Sequence, residues 1–137
     1  MIMIYSIGRR KTSIARIFLK KGTGNIYIFS KKKKKIVKKL LKEYFINPLL
    51  INNIEQVFKI IKTDIKKYDL LIRVNGGGIS GQSNAVKLAI SRIFCKIDEK
   101  NKFSLKEKGF LTRDYRKVER KKFGRKKARK KFQFSKR

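Results

Sequence analysis

Histidine and tryptophan are absent from this sequence, and cysteine and proline occur once each. Without histidine there can be no Cys/His zinc site and no Ser–His or Cys–His catalytic pair. The lone thiol, Cys95, cannot close an internal disulfide, and its place in the apolar run IFCKI suits a buried structural role. Acidic residues are scarce: 9 Asp plus Glu stand against 40 Lys plus Arg. They are scattered along the chain, which disfavours a paired-carboxylate site. The chain therefore does not read as an enzyme, and no cofactor, metal ion or small-molecule substrate is expected. Long apolar runs are missing as well. No window approaches the ~20 residues that a membrane span requires, and the cations are not gathered on one amphipathic helix that could lie on a bilayer. The first residues, MIMIYSI, are apolar and strand-like, without a secretory or transit pattern. The expectation is a protein with no membrane partner, working in the compartment that makes it.

What is abundant is positive charge. A formal charge of +31 on 137 residues would set a compact state repelling itself unless a polyanion neutralised it. Nucleic acid is the obvious polyanion, because its phosphates are closely spaced and their released counterions drive binding. The length suits one small domain, and 41% hydrophobic residues can build a modest core. Lysine and isoleucine abundance suggests an AT-rich coding genome, that of an organelle or a reduced bacterium.

Residues 1–30 read as β-structure. Ser13 to Leu19 is rich in β-branched and aromatic residues, and the turn signal Gly22-Thr23-Gly24-Asn25 precedes Ile26 to Phe29. Between the first two strand runs, Gly8-Arg9-Arg10-Lys11 reads as a bend presenting charge at a sheet margin. From Lys31 to Phe45 the apolar residues Ile36, Val37, Leu40, Leu41 and Tyr44 recur at spacings of three and four, which predicts an amphipathic helix with a cationic outer face. The run Lys31–Lys35 would then be a solvated helix face, with RNA contact an unspecific alternative. Asn47-Pro48 looks like a cap and first turn for a second helix. Tyr68 to Asn75 alternates as a strand, and Gly76-Gly77-Gly78 breaks it. The strongest helix pattern runs from about Gly81 to Ile97, and a short charged helix around Glu99 to Lys108 follows. After Thr112 the character changes. Arg113 to Arg137 holds 14 cations and 2 acids, with no sustained apolar periodicity. Such a segment buries too little to offset its ordering entropy and should fold only against a partner.

Three motifs carry chemistry. Gly76-Gly77-Gly78-Ile79-Ser80-Gly81 satisfies the dinucleotide pattern GxGxxG, but no second strand of a βαβ unit follows the helix, so there is no strand end to carry the ribose-binding acid. A better physical reading is a place where a phosphate backbone approaches N–H groups at a helix start; a ligand-free turn fits the local sequence equally well. The tail interleaves Tyr115, Phe123, Phe132 and Phe134 with its cations. Cations bind phosphates, and aromatic or arginine planes stack on unpaired bases. A generic polybasic tail or a targeting signal has the same composition. The third motif is Gly8-Arg9-Arg10-Lys11-Thr12-Ser13-Ile14-Ala15-Arg16.

In order along the chain, that segment, then Val74-Asn75-Gly76-Gly77-Gly78-Ile79-Ser80-Gly81-Gln82, Leu111-Thr112-Arg113-Asp114, Val118-Glu119-Arg120-Lys121-Lys122-Phe123-Gly124, and finally Phe134-Ser135-Lys136-Arg137, resemble one family. It is the small-subunit ribosomal protein family nine, in its bacterial and organellar form. The resemblance implies an α+β fold: a single small domain over residues 1–112, with a roughly four-stranded sheet packed against helices, and a long extended basic tail over residues 113–137. It also implies a structural constituent of the small-subunit head, bound to the 3′ major domain of its rRNA and to neighbouring head proteins. The family's tail reaches the anticodon stem-loop of P-site tRNA during translation. Carried onto this sequence, the tRNA contacts are Ser135, Lys136 and Arg137. The rRNA contacts on the body are Arg9, Arg10, Lys11, Gly76, Gly77, Gly78 and Gln82. Those along the tail are Arg113, Arg116, Arg120, Lys121, Lys122, Arg125, Lys126, Lys127, Arg129, Lys130 and Lys131. The implied setting is a ribosome of a plastid or mitochondrion with an AT-rich genome, or of a bacterial cytoplasm. The lysine-rich stretch from Lys31, Ser83 and Asn84 after the glutamine, and Phe132 depart from the family pattern.

Two rivals from other classes fit less. A histone-like DNA protein accounts for the charge but not for the ordered motifs, and would bind duplex DNA and rRNA equally at high salt. A nucleotide-dependent enzyme built on the glycine loop would bind a dinucleotide saturably.

Overall fold

A computed structural model describes residues 4–32, 35–61 and 64–135. Its elements are β1 (Ile4–Arg10), β2 (Ser13–Lys21), β3 (Ile26–Lys32), β4 (Lys35–Leu40), α1 (Leu41–Tyr44), α2 (Pro48–Ile60), β5 (Tyr68–Asn75), α3 (Ile79–Ile97) and α4 (Lys100–Glu107), with a 3-10 turn at Ile65–Lys67 before β5. The strands form one sheet in the order β1-β2-β5-β3-β4. Its neighbours are antiparallel except β3 and β5, which run parallel.

Strand alternation sets the core. Ala15, Ile17 and Leu19 of β2 and Leu70, Ile72 and Val74 of β5 point to one face and are buried. Against that face α3 lays Val86, Ile90, Ile93 and Phe94, and α2 adds Ile54 and Val57, all fully buried. Each such side chain contributes about 1.5–3 kcal/mol through removal from water. The helix starts follow the sequence signals: Asn47 Oδ1 accepts from the Leu49 N–H at 2.9 Å, and Pro48 occupies the first turn of α2.

Small residues bring β1 under α3. Ser6 and Gly8 are the inward positions of β1, and a methyl group on Gly8 would overlap the Ala85 carbonyl oxygen. Gly8 is thus a strand residue, and the bend expected across Gly8 to Lys11 narrows to Lys11-Thr12, between the paired residues Arg10 and Ser13. At the outer margin of β1, Arg92 Nη1 donates to the Ile7 carbonyl at 2.8 Å and Lys96 Nζ to that of Tyr5 at 2.7 Å.

The helix expected over Lys31 to Phe45 is not present. The sheet has five strands rather than about four because β4 pairs with β3 through that stretch, Tyr27 facing Leu40 and Lys31 facing Ile36; only Leu41–Tyr44 is helical. The spacing of apolar residues does match a helix, but a helix there would stack lysines four apart, as at 35/39 and 38/42, in mutual repulsion. Pairing also satisfies the backbone of β3, which would otherwise be bare along that side. The Lys38 ammonium lies 4.0 Å over the Tyr27 ring, so a cation of β4 finds a partner across the pair. Lys33 and Lys34 lie outside the described residues.

Candidate RNA interface

The β1–β2 turn and the glycine loop come together because β5 lies beside β2, pairing Ile14 with Asn75. Lys11 adopts φ 51°, a left-handed conformation that costs a non-glycine residue roughly 1–2 kcal/mol. Gly76 and Gly77 follow one another at φ 70° and 65°, the conformation that glycine adopts without strain. A cleft of about 230 Å³ opens between the two turns, lined by residues including Arg10, Lys11, Ser13, Gly77, Ser80 and Asn84. Gly78 caps α3 without a side-chain hydrogen bond, leaving first-turn N–H groups free of partners within the helix. Such a terminus carries partial positive charge and favours an anion. Ser13 Oγ is buried beneath Gly77 and Gly81 and has no hydrogen-bond partner among the described residues.

Gln82 has a different part from the glycines. Its Oε1 accepts from the Tyr44 hydroxyl at 2.7 Å and its Nε2 donates to the Gly76 carbonyl at 3.1 Å. Both ends of the amide are engaged within the chain, where they brace the loop from α1. Sequence reading found Gln82 but missed Tyr44, since nothing local links residues 38 positions apart.

Of the three cations at the turn, Arg9 and Lys11 are exposed and Arg10 is turned inward. Arg10 Nη2 lies 2.9 Å from Asp114 Oδ2, and its Nη1 donates to the Arg116 carbonyl at 2.6 Å. The Arg116 fork also grips Asp114, Nε to Oδ1 at 3.0 Å and Nη2 to Oδ2 at 2.9 Å. These bonds from Arg116, with Arg10 close by, hold the Asp114 carboxyl down to about 2. A second cleft, about 220 Å³, lies alongside and is lined in part by Arg9, Lys87, Phe110 and Asp114. Lys87 sits 3.8 Å over the Phe110 ring and donates to Asn53 Oδ1 at 3.0 Å and Gln56 Oε1 at 3.3 Å. Burial lowers the pKa of its ammonium.

From Arg113 the chain runs outside the core with neither helix nor regular strand. The tail cations from Arg113 to Lys131 named from the sequence are exposed, except Arg125, which is half-buried. Tyr115, Phe123, Phe132 and Phe134 are also exposed, Phe123 and Phe134 completely. Apolar rings in full contact with water, set among cations, suit stacking on unpaired bases. One loop interrupts the extended course. Glu119 accepts from Lys122 Nζ at 2.8 Å and Arg129 Nε at 3.0 Å; after a turn at Phe123-Gly124, Arg125 bridges to Lys131, and the Lys126 N–H donates to the Lys130 carbonyl at 2.8 Å. Ser135 is exposed; Lys136 and Arg137 lie outside the described residues.

Little here suits small-molecule chemistry. Cys95 is half-buried and burial pushes its thiol pKa up, which makes it a poor nucleophile. Among the described residues no group of His, Cys, Asp or Glu is placed to hold a metal ion. No described helix is long and apolar enough to cross a membrane.

Comparison with known proteins decides the family. The family model described as ribosomal protein S9/S16 matches residues 8–137. The chain belongs to the ribosomal protein S9/S16 family. Similar S9-family proteins include the small ribosomal subunit protein uS9 of Borreliella burgdorferi strain ZS7, 50% identical over 95% of this chain and 89% of its own length. The uS9 protein of Christiangramia forsetii is 47% identical, with both chains covered completely. That of Amoebophilus asiaticus is 49% identical, again over the whole of both. An S9-family member is a ribosomal protein with a structural role, and this chain is not an enzyme.

Proposed function

We propose that this protein is a structural constituent of the small ribosomal subunit, in its head. In this reading it binds the 3′ major domain of the rRNA, lies against neighbouring head proteins and contacts P-site tRNA through its C-terminal tail. The observation that carries the reading is the gathering of the Arg9–Lys11 turn, the Gly76–Gly78 loop and the root of the tail at one end of the sheet, in a chain whose relatives bear the name small ribosomal subunit protein uS9.

The chemistry assigned to each part follows from its shape. Arg9 and Lys11 offer charge to phosphates, and the start of α3 offers N–H groups to a phosphate oxygen that Gly76, Gly77 and Gly78 let approach. Gln82 holds the loop in that shape. Along the tail, from Arg113 and Arg116 through Arg120, Lys121, Lys122, Arg125, Lys126 and Lys127 to Arg129, Lys130 and Lys131, cations neutralise rRNA phosphates while the interleaved rings stack on splayed bases. Ser135, Lys136 and Arg137 grip the tRNA anticodon stem-loop through phosphate and shape, because one site must accept every tRNA. The setting is a bacterial-type ribosome, in an AT-rich bacterium or organelle; the relatives named above are bacterial.

Two measurements test the reading. In high-salt sucrose gradients of native lysate the chain should travel with the small subunit at near one-to-one stoichiometry; migration with DNA or at the top of the gradient would overturn the ribosomal assignment. Subunits reconstituted with a chain lacking Ser135–Arg137 should assemble normally and hold P-site tRNA less well. Unchanged tRNA affinity in those subunits would remove the tail's assigned role and leave the rRNA role standing.

A further inference from the structure

The root of the tail is fastened to the body by charges that a purely RNA-directed surface would not contain. The chain carries 9 acids among 40 cations, and two of those acids fall in the 25-residue tail. On electrostatic grounds alone, each acid weakens attachment to a polyanion. Asp114 nevertheless stands where the tail leaves the body, and both its oxygens are engaged. Arg116 binds it through its guanidinium fork and its own backbone N–H, the latter at 3.1 Å. Arg10 reaches it from the end of β1, across 104 positions of sequence, and also takes the Arg116 carbonyl.

Geometry separates Arg10 from its neighbours. Strand alternation turns Arg9 outward and Arg10 back toward the tail, and the Arg10 side chain is only 17% exposed. A guanidinium that holds a carboxylate oxygen and a main-chain carbonyl fixes two points of the segment Asp114–Arg116 relative to the sheet. Directly beyond that segment, no helix or regular strand guides the chain.

We propose that Arg10, Asp114 and Arg116 form a clamp that sets the direction in which the tail departs, with Arg10 acting as a positioning residue through Asp114 rather than as a phosphate ligand. Its bearing on tRNA rests on the reading that the tail end grips that ligand. A tail pinned at its root explores less space before its tip meets the target, which raises the tip's effective concentration there. The clamp gives an acid a use that RNA contact alone does not.

The two roles of Arg10 differ in the sign of one substitution. Asp114→Asn removes a negative charge without changing shape. If Asp114 were only an electrostatic burden, the change would tighten RNA and tRNA binding; the clamp requires it to loosen tRNA binding. The full chain would carry nitroxide labels at Lys102→Cys and Lys117→Cys in a Cys95→Ser background, for pulsed-EPR distance distributions. Arg10→Ala, Asp114→Asn and the double variant would be compared, and tRNA affinity measured on subunits reconstituted with each. Each single variant should broaden the distribution and weaken tRNA binding about two- to fivefold, the range of an exposed ion pair. The double variant should lose less than the product of the two single losses, since both break the Arg10–Asp114 contact although each also breaks one of its own. An unchanged distance distribution, tighter tRNA binding by Asp114→Asn, or losses that multiply in the double variant would overturn the clamp. If tRNA affinity proves insensitive even to loss of Ser135–Arg137, the tRNA reading fails by itself and the EPR comparison alone decides the clamp.

Discussion

At Gly8 the backbone of β1 passes so near α3 that a single methyl group would meet the Ala85 carbonyl oxygen and, at 2.7 Å, the Ala89 nitrogen. Both obstacles are helix backbone, which cannot turn aside as a side chain would. Gly8→Ala should therefore destabilise the body by about 1–3 kcal/mol, the usual cost of overpacking; a urea melt of the full chain would show it, and an unchanged midpoint would mean that α3 rides easily on the sheet. Lys11 is a different case. Its φ of 51° is tolerated at the tip of the turn, where a glycine would sit without strain. Lys11→Gly should leave stability unharmed. If Lys11 meets a phosphate, the same change should lower the salt dependence of rRNA binding by about 0.7–0.9 in the slope of log K against log salt. A slope that does not move would take Lys11 off the interface.

Among the elements, the tail loop gathers two cations on a single acid, Glu119. Hydrogen bonds from Lys122, then from Arg129, lower the pKa of the Glu119 carboxyl. A group with a depressed folded pKa adds stability above its unfolded value and loses it as pH falls through the folded one. The loop should stay closed down to an unpaired glutamate's pKa of about 4.3 and open only below it; Asp114, held at about 2, should release its arginines last. Glu119→Gln should open the loop at neutral pH, with loss of NMR contacts between Arg125 and Lys131 and no effect on the Arg10–Asp114 pair. Persistence of those contacts would show that the backbone bond from Lys126 to the Lys130 carbonyl closes the loop unaided. Most elements were legible in the sequence where local rules and burial agree: β2, β5 and α3 alternate or repeat as their surroundings require, and Asn47-Pro48 caps as its chemistry directs. The stretch after Lys31 misled because Ile36, Val37, Leu40 and Leu41 keep helical spacing while a neighbouring strand offers its backbone a better partner. At the candidate site, the cations and glycines were readable from composition and motif. Tyr44, Ser13 and Asp114 were not, because each matters through a residue far away in sequence, and only the folded sheet brings the partners together.

For the molecule as a whole, charge is divided unevenly, with 14 of its 40 cations in the last 25 residues. Removing residues 113–137 should weaken rRNA binding at low salt far more than at high salt and flatten its salt dependence, while thermal stability of the body changes little because the buried core ends before the tail. An equal loss at all salt concentrations would point to stacking by the exposed rings as the dominant contribution. The two borders of the sheet carry a further consequence. A bare strand is a template on which another chain can pair, and a protein made before its RNA is ready must wait in the company of its own copies. Along β4 the exposed Lys35, Lys38 and Lys39 repel a second such border. Along β1 the side chains of Arg92 and Lys96 already occupy the Ile7 and Tyr5 carbonyls. The same surplus of cations that suits the folded protein to RNA thus keeps unassembled copies from joining strand to strand into aggregates.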